Sequence, residues 1–109
     1  MSHLATIKTE VRDPAAIRAA IARLKLKEPT ITGDIAEVPL TAGWAKARVN
    51  LKTGEVRYDT DYRPQFNAFM QAYAVEKAKI EAKKKGHLVT ESPMAGGKVK
   101  LTITLAGGA

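Results

Sequence analysis

Two segments of the chain place apolar residues at helical spacing. In the first, apolar side chains recur at i, i+3, i+4 and i+7, at Ile17, Ala20, Ile21 and Leu24. Asp13 followed by Pro14 marks the start, because Asp accepts free N–H groups of a first turn and Pro there loses no hydrogen bond. The pattern therefore predicts a helix from Pro14 to about Leu26, before Pro29.

A second, longer helix is predicted from Pro64 to Lys85. Its apolar stripe consists of Phe66, Phe69, Met70, Tyr73 and Ile80. Lysines 83–85 before Gly86 are typical of a helix C-terminus, where cations meet the negative end of the dipole and Gly leaves the helix.

The remaining segments alternate with the period of strands. A strand is expected within residues 2–11 and a weak one within 34–40, interrupted by nearby Pro and Gly. Residues 44–60 predict a hairpin around the turn 51–54, and residues 87–91 and 98–105 predict another. If Asn50 lies opposite Glu55, the first hairpin opposes Arg48 to Arg57 on its exposed face.

This order of elements predicts an α+β fold. Each helix has one apolar stripe and each clear strand one apolar face, which favours a mainly antiparallel sheet with both helices on one face. Such a two-layer sandwich is compatible with a ferredoxin-like topology. Residues 1–105 are expected to form a single domain, with a flexible tail at 106–109. The predicted core comprises Ile17, Ile21, Leu24, Val49, Val56, Phe66, Phe69, Tyr73, Leu101 and Ile103.

Composition narrows the class of protein. The chain has 109 residues, 45% hydrophobic and 27% charged, as expected for one globular domain. It contains no Cys, which excludes disulfides, thiol nucleophiles and Cys-ligated metals. We expect no membrane span. Because the N-terminus carries no apolar signal segment, we also expect a cytoplasmic location. The net charge of +7 permits a polyanionic partner without identifying one.

Motifs for catalysis are lacking, so we expect no enzyme, no metal and no cofactor. The two histidines, His3 and His87, are expected to be structural. Lys77 falls on the apolar side of the second helix. It either lays its stem over Tyr73 and reaches Glu81, or faces a ligand with a pKa lowered by burial.

The outward face of the sheet is the candidate binding site. It would collect aromatic and basic side chains if the strands are neighbours: Trp44, Lys46, Arg48, Arg57, Lys98 and Lys100. Stacking and phosphate contact need such groups. Glu55, Asp59 and Asp61 share the predicted face, however, and mixed charge is also typical of a solvated or protein-docking surface.

Several stretches resemble a known family. They are residues 1–15 (MSHLATIKTEVRDPA), 53–59 (TGEVRYD), 71–82 (QAYAVEKAKIEA), 86–87 (GH) and 97–103 (GKVKLTI). In this order they resemble the bacterial, phage and plastid family called hypothetical chloroplast reading frame thirty-five, a domain of unknown function. The chain departs from that family at residues 27–43. The resemblance implies no catalytic residues, and it suggests an AAA+ ATPase as partner, because relatives are often encoded near such ATPases.

The sequence thus predicts a small non-enzymatic accessory protein that acts by binding another protein. The alternative is a binder of nucleic acid or an anionic nucleotide through a basic sheet face. A steep loss of binding with salt would favour the alternative.

Overall fold

A computed structural model describes residues 3–105 of the chain. The elements are β1 (Leu4–Lys8), α1 (Pro14–Arg23), β2 (Thr30–Thr32), β3 (Ile35–Pro39), β4 (Lys46–Asn50), β5 (Glu55–Asp59), α2 (Arg63–Lys84), β6 (Leu88–Pro93) and β7 (Val99–Thr104). Short 3-10 turns lie at Thr60–Tyr62 and Ala95–Gly97. The tail predicted at 106–109 lies outside the described residues.

The strands form two antiparallel sheets. The main sheet has five strands in the order β1-β5-β4-β3-β2, and β6 and β7 form a separate two-stranded sheet, here called the second sheet. Strands β2 to β5 follow one another as a meander, and β1 pairs with β5 at the far edge. The α+β class and the antiparallel pairing are therefore confirmed. The ferredoxin-like topology is not observed, because four strands rather than two separate the helices.

Helix α1 begins as its sequence predicts. The Asp13 carboxylate accepts hydrogen bonds from the backbone N–H groups of Ala15, at 2.9 Å, and Ala16, at 3.5 Å. The helix ends at Arg23, earlier than expected, because Lys25 turns the chain through a positive φ of 58°. Strand β2, which the sequence did not indicate, follows Pro29.

The core lies between the main sheet and the two helices. The largest fully buried side chains come from both layers: Phe66, Phe69, Ile17, Ile21, Val11, Val38, Val49 and Val56. The Tyr58 and Phe66 rings stack with centroids 4.1 Å apart, which joins β5 directly to α2. Eight of the ten predicted core residues lie in this cluster or pack against it, Leu24 at its margin.

Two predicted core residues lie elsewhere. Leu101 is half-buried and Ile103 is 44% exposed, and neither belongs to the core cluster. The prediction was wrong because it assumed one sheet, whereas β7 pairs with β6 alone. Alternation along a strand gives its apolar face but not the sheet that it joins.

A close backbone approach fixes β1 against the turn that joins β4 to β5. The Thr9 N–H and Thr9 Oγ1 both donate to the Gly54 carbonyl, at 2.8 and 2.7 Å. Gly54 has a φ of +80°, and a Cβ on it would lie 2.0 Å from the Thr9 carbonyl oxygen. Only glycine satisfies both constraints at this position.

Replacing Phe69 with Ala tests the core. Phe69 is completely buried between the layers, so Phe69→Ala is expected to lower the free energy of unfolding by about 3–5 kcal/mol in urea denaturation. Leu4→Ala is the control, since Leu4 is 65% exposed and its loss should cost less than about 0.5 kcal/mol. A cost below about 1 kcal/mol for Phe69→Ala would contradict the position of α2.

A pair of glycine substitutions tests the approach of β1 to the turn. Gly33 and Gly54 both have positive φ, but a Cβ on Gly33 meets nothing within 4 Å. Gly33→Ala therefore carries only the backbone cost of about 1–2 kcal/mol, and Gly54→Ala adds a steric clash. We expect Gly54→Ala to be the more destabilising by at least about 1 kcal/mol in urea denaturation, and equal losses would contradict the contact.

Candidate binding site on the open sheet face

One face of the main sheet packs against the helices, and the other, here called the open sheet face, is exposed. Strands β4 and β5 show the alternation most clearly, with buried Ala47, Val49, Val56 and Tyr58 between exposed residues. The exposed side chains of this face are Leu4, Thr6, Lys8, Thr30, Thr32, Glu37, Lys46, Arg48, Glu55 and Arg57. It therefore carries charges of both signs, with four cations and two anions among these residues.

Arg48 and Arg57 lie opposite each other at the centre of this face. The register pairs Arg48 with Arg57 and Val49 with Val56, as the sequence predicts. Thr6 faces Arg57 from β1, and Glu37 faces Arg48 from β3. Two guanidinium groups thus project from the same side of neighbouring strands, where like charges repel by up to about 1 kcal/mol unless a counter-charge joins them.

The two arginines form no ion pair among residues 3–105, although Glu37 lies opposite Arg48 in the register. Among residues 3–105, no carboxylate oxygen lies within 4.0 Å of either guanidinium group. The ion pairs of that part of the chain instead join α1, α2 and β6, through Arg23, Lys77, Lys79 and Lys84. Arg48 lines three depressions of the open sheet face, of about 240, 400 and 230 Å³.

An aromatic pair stands beside the arginines. Trp44 is 75% exposed, and its ring meets Tyr62 edge to face, with centroids 5.8 Å apart and planes at 79°. Both rings line the depression of about 240 Å³, together with Lys46, Arg48 and Arg57. Four of the predicted site residues are therefore brought together, and Tyr62, which the sequence pattern did not indicate, joins them.

Lys98 and Lys100 do not belong to this site. Lys100 lies in β7, and Lys98 immediately precedes it, so both belong to the hairpin of the second sheet. This sheet contacts α2, on the helix side of the molecule. Their inclusion was wrong for the same reason as that of Leu101 and Ile103 in the core. The two histidines likewise precede strands of different sheets, β1 and β6.

Lys77 is held by two carboxylates. Its Nζ donates to Asp13 Oδ2 at 2.9 Å and to Glu81 Oε1 at 2.8 Å. These bonds, first that to Glu81 and then that to Asp13, raise the pKa of Lys77, so the alternative of a ligand-facing Lys77 with a lowered pKa is wrong. The partner Glu81 was one of the two outcomes expected from the sequence. A lysine engaged in this way is a structural residue rather than a ligand-facing one.

Tyr73 completes a junction around Asp13 that the sequence analysis missed. The Tyr73 hydroxyl accepts hydrogen bonds from the backbone N–H groups of Arg12, at 3.2 Å, and Asp13, at 3.1 Å. It also donates to the Glu10 carbonyl at 3.5 Å. We call Asp13, Tyr73 and Lys77 the cap junction, because they tie α2 to the N-terminus of α1.

A second polar network connects the second sheet to the helices. Glu91 on β6 binds Arg23 of α1 at 2.7 Å and Lys79 of α2 at 3.8 Å. Glu76 binds the same two cations, at 2.8 and 3.4 Å. The hydrogen bond that Arg23 donates to Glu91 is the main cause that raises the pKa of Arg23. These contacts join elements far apart in sequence, which no local pattern indicates.

Comparison with known proteins gives no match to a protein-family model, to a curated protein or to a solved structure. The resemblance described above therefore stays a prediction. None of the helices described in residues 3–105 combines the length and apolar character that crossing a membrane requires. That same part of the chain holds no group of three or more acidic or His side chains placed to bind a metal ion.

The cap junction predicts a pH dependence of stability. The hydrogen bond from Lys77 is the main cause that lowers the pKa of Asp13, and Lys77 likewise lowers that of Glu81. A carboxyl whose pKa is lowered by folding stabilises the fold above its unfolded pKa and loses this effect as pH falls through its folded pKa. The unfolding free energy should therefore decline below about pH 4, near the ordinary pKa of Asp.

The variant Asp13→Asn separates charge from capping. Asn also caps helices but cannot titrate, so this variant should be less stable at pH 7 and should lose less stability between pH 5 and pH 2. Urea denaturation across this range is the measurement. Asp34→Asn, at an exposed residue outside these ion pairs, is the control and should keep the wild-type profile. An unchanged acid profile for Asp13→Asn would contradict the role of the Lys77 ion pair.

Proposed function

We propose that this chain is a non-enzymatic accessory protein that binds another protein through its open sheet face. The observation that carries the proposal is the opposed pair Arg48 and Arg57, which forms no ion pair within 4.0 Å among residues 3–105. Each guanidinium offers parallel N–H donors suited to a carboxylate, so an acidic side chain of the partner would relieve their repulsion.

The neighbouring residues favour a protein partner. Binding energy at protein interfaces concentrates in Trp, Tyr and Arg, and this face supplies all three around one depression. Glu37, Glu55 and Asp59 lie on the same sheet face and would repel the phosphates of a nucleic acid. A protein partner with both acidic and basic side chains could form ion pairs with the arginines and the carboxylates of this face.

The alternative is nucleic acid or an anionic nucleotide. The same arginine pair supports it, because guanidinium groups bind phosphate as readily as carboxylate. Trp44, being largely exposed, could stack on a base. The two functions differ in their response to salt, since phosphate binding weakens steeply as counterions compete.

The resemblance to the chloroplast reading frame family supplies a candidate for the partner, an AAA+ ATPase. The cytoplasmic location expected from the sequence is part of the proposal. Affinity capture from the native cytoplasm with and without nuclease identifies the partner and shows whether nucleic acid mediates its capture.

The double variant Arg48→Gln/Arg57→Gln tests the proposed contact. Both side chains are exposed, so folding should be unchanged or slightly improved as repulsion is removed. Affinity for the captured partner, measured by calorimetry, should fall by about 1–3 kcal/mol. Unchanged affinity would contradict the proposal.

Two control variants separate the causes of such a loss. Lys83→Gln/Lys85→Gln removes the same charge from exposed positions at the end of α2 and should leave affinity within about 0.5 kcal/mol. Arg48→Lys/Arg57→Lys keeps the charge but loses the planar pair of donors, so affinity should be intermediate. If Lys restores full affinity and binding falls steeply with salt, phosphate binding is favoured instead.

A further inference from the structure

The second sheet has an outer strand, β7, with a free edge and an incompletely covered apolar face. Strands β6 and β7 pair only with each other within residues 3–105. Val99 and Leu101 are half-buried, and Ile103 is 44% exposed. Two-stranded sheets are marginally stable, and additional strands or a packed helix are needed for independent stability. Helix α2 supplies only part of this cover, near Val99.

The main-chain groups on the free side of β7 follow from the hairpin. The Met94 N–H donates to the Lys98 carbonyl at 2.8 Å, which makes these two residues a hydrogen-bonded pair. Such pairs alternate along an antiparallel ladder, so Lys100 and Thr102 also direct their main-chain groups towards β6. The residues between them, Val99, Leu101 and Ile103, direct theirs towards the free edge.

We propose that two copies of this chain associate through β7 to form one four-stranded antiparallel sheet. The two-fold axis passes at Leu101, which then lies opposite Leu101 of the second copy. Val99 lies opposite Ile103 of the second copy, and each opposed pair exchanges two main-chain hydrogen bonds. This register places every apolar side chain of β7 beside another on the same face of the extended sheet.

Charge and backbone chemistry favour a second copy at this edge. On the other face of β7, the register places Lys100 opposite Thr102 of the second copy, so the two lysines do not oppose each other. The edge of β6 cannot pair in the same way. Glu91 at its centre would oppose itself, and Pro93 at its end has no N–H to donate.

The edges of the main sheet are less suited to pairing. Strand β2 has only three residues and follows Pro29, features that limit edge-to-edge association. In strand β1, the main-chain N–H and C=O groups of Leu4, Thr6 and Lys8 point to the free edge. This follows because His3 and Thr9, at the two ends of β1, form main-chain hydrogen bonds with the residues that flank β5. Only Leu4 among these three is apolar, whereas all three outward residues of β7 are apolar.

Single cysteines test the register, because the natural chain has no Cys and any disulfide must join two copies. In the dimer of Leu101→Cys, the cysteines of the two copies lie opposite each other. Their Cα atoms are then roughly 5.5 Å apart, which is within the range of disulfides. Mild oxidation should therefore give a covalent dimer on a non-reducing gel. Thr102→Cys is the matched control and should give no covalent dimer on that gel, since position 102 faces Lys100 of the second copy. Equal crosslinking of the two variants, or none in Leu101→Cys, would overturn the proposal.

Native mass gives an independent test. We expect a micromolar dissociation constant, so at about 100 µM the wild type should sediment near twice its 11.8 kDa. Leu101→Lys and Leu101→Glu should each be monomeric because like charges oppose at the axis, and an equimolar mixture should recover the dimer. Far-UV circular dichroism checks that both charge variants fold. If either is unfolded, the crosslinking of Leu101→Cys against Thr102→Cys tests the contact instead. A wild-type mass of 11.8 kDa, an open-ended series of larger assemblies, or a mixture that stays monomeric would each refute the two-fold contact.

Discussion

The cap junction is the interaction on which the arrangement of the helices depends. Tyr73 of α2 binds the backbone of the segment that joins β1 to α1, and Lys77, one turn further along, binds the Asp13 carboxylate that caps α1. One face of α2 therefore sets both the start of α1 and the path of the preceding chain. With the α2 ring of Phe66 stacked on Tyr58, the same helix is also fixed against β5. The two helices thus form one layer, and the opposite side of the main sheet is left uncovered.

Charged side chains are distributed unequally between the two sides of the main sheet. On the helix side, Glu76, Glu81 and Glu91 neutralise neighbouring cations in networks that join three elements. On the open sheet face, Arg48 and Arg57 are opposed to each other with no such partner among residues 3–105. The first arrangement joins elements of the fold through ion pairs, and the second leaves two guanidinium groups without an ion pair.

The sequence predicted the features that depend on local pattern. The Asp13 cap, the limits of α2 to within one residue and the Arg48–Arg57 register follow from capping chemistry, helical period and turn length. It did not predict that Lys98 and Lys100 lie on another sheet, because alternation is the same in any sheet. Nor did it predict the Tyr73 hydroxyl bonds, since hydropathy periodicity treats Tyr as an apolar residue and their partners lie about sixty positions away. Strand β2 was missed because three residues are too few to show a period.

The alternation along β4 and β5 also has an evolutionary consequence. Ala47 and Val49 are completely buried, so larger side chains there would force the helices away from the sheet. Their immediate neighbours Lys46 and Arg48 are exposed and contribute little to the core. A mutation at one of these exposed positions can change what the surface recognises at almost no cost in stability, whereas a shift of one residue in the turn would exchange the two sets. The open sheet face can therefore vary at alternate positions without disturbing the buried positions that hold the scaffold.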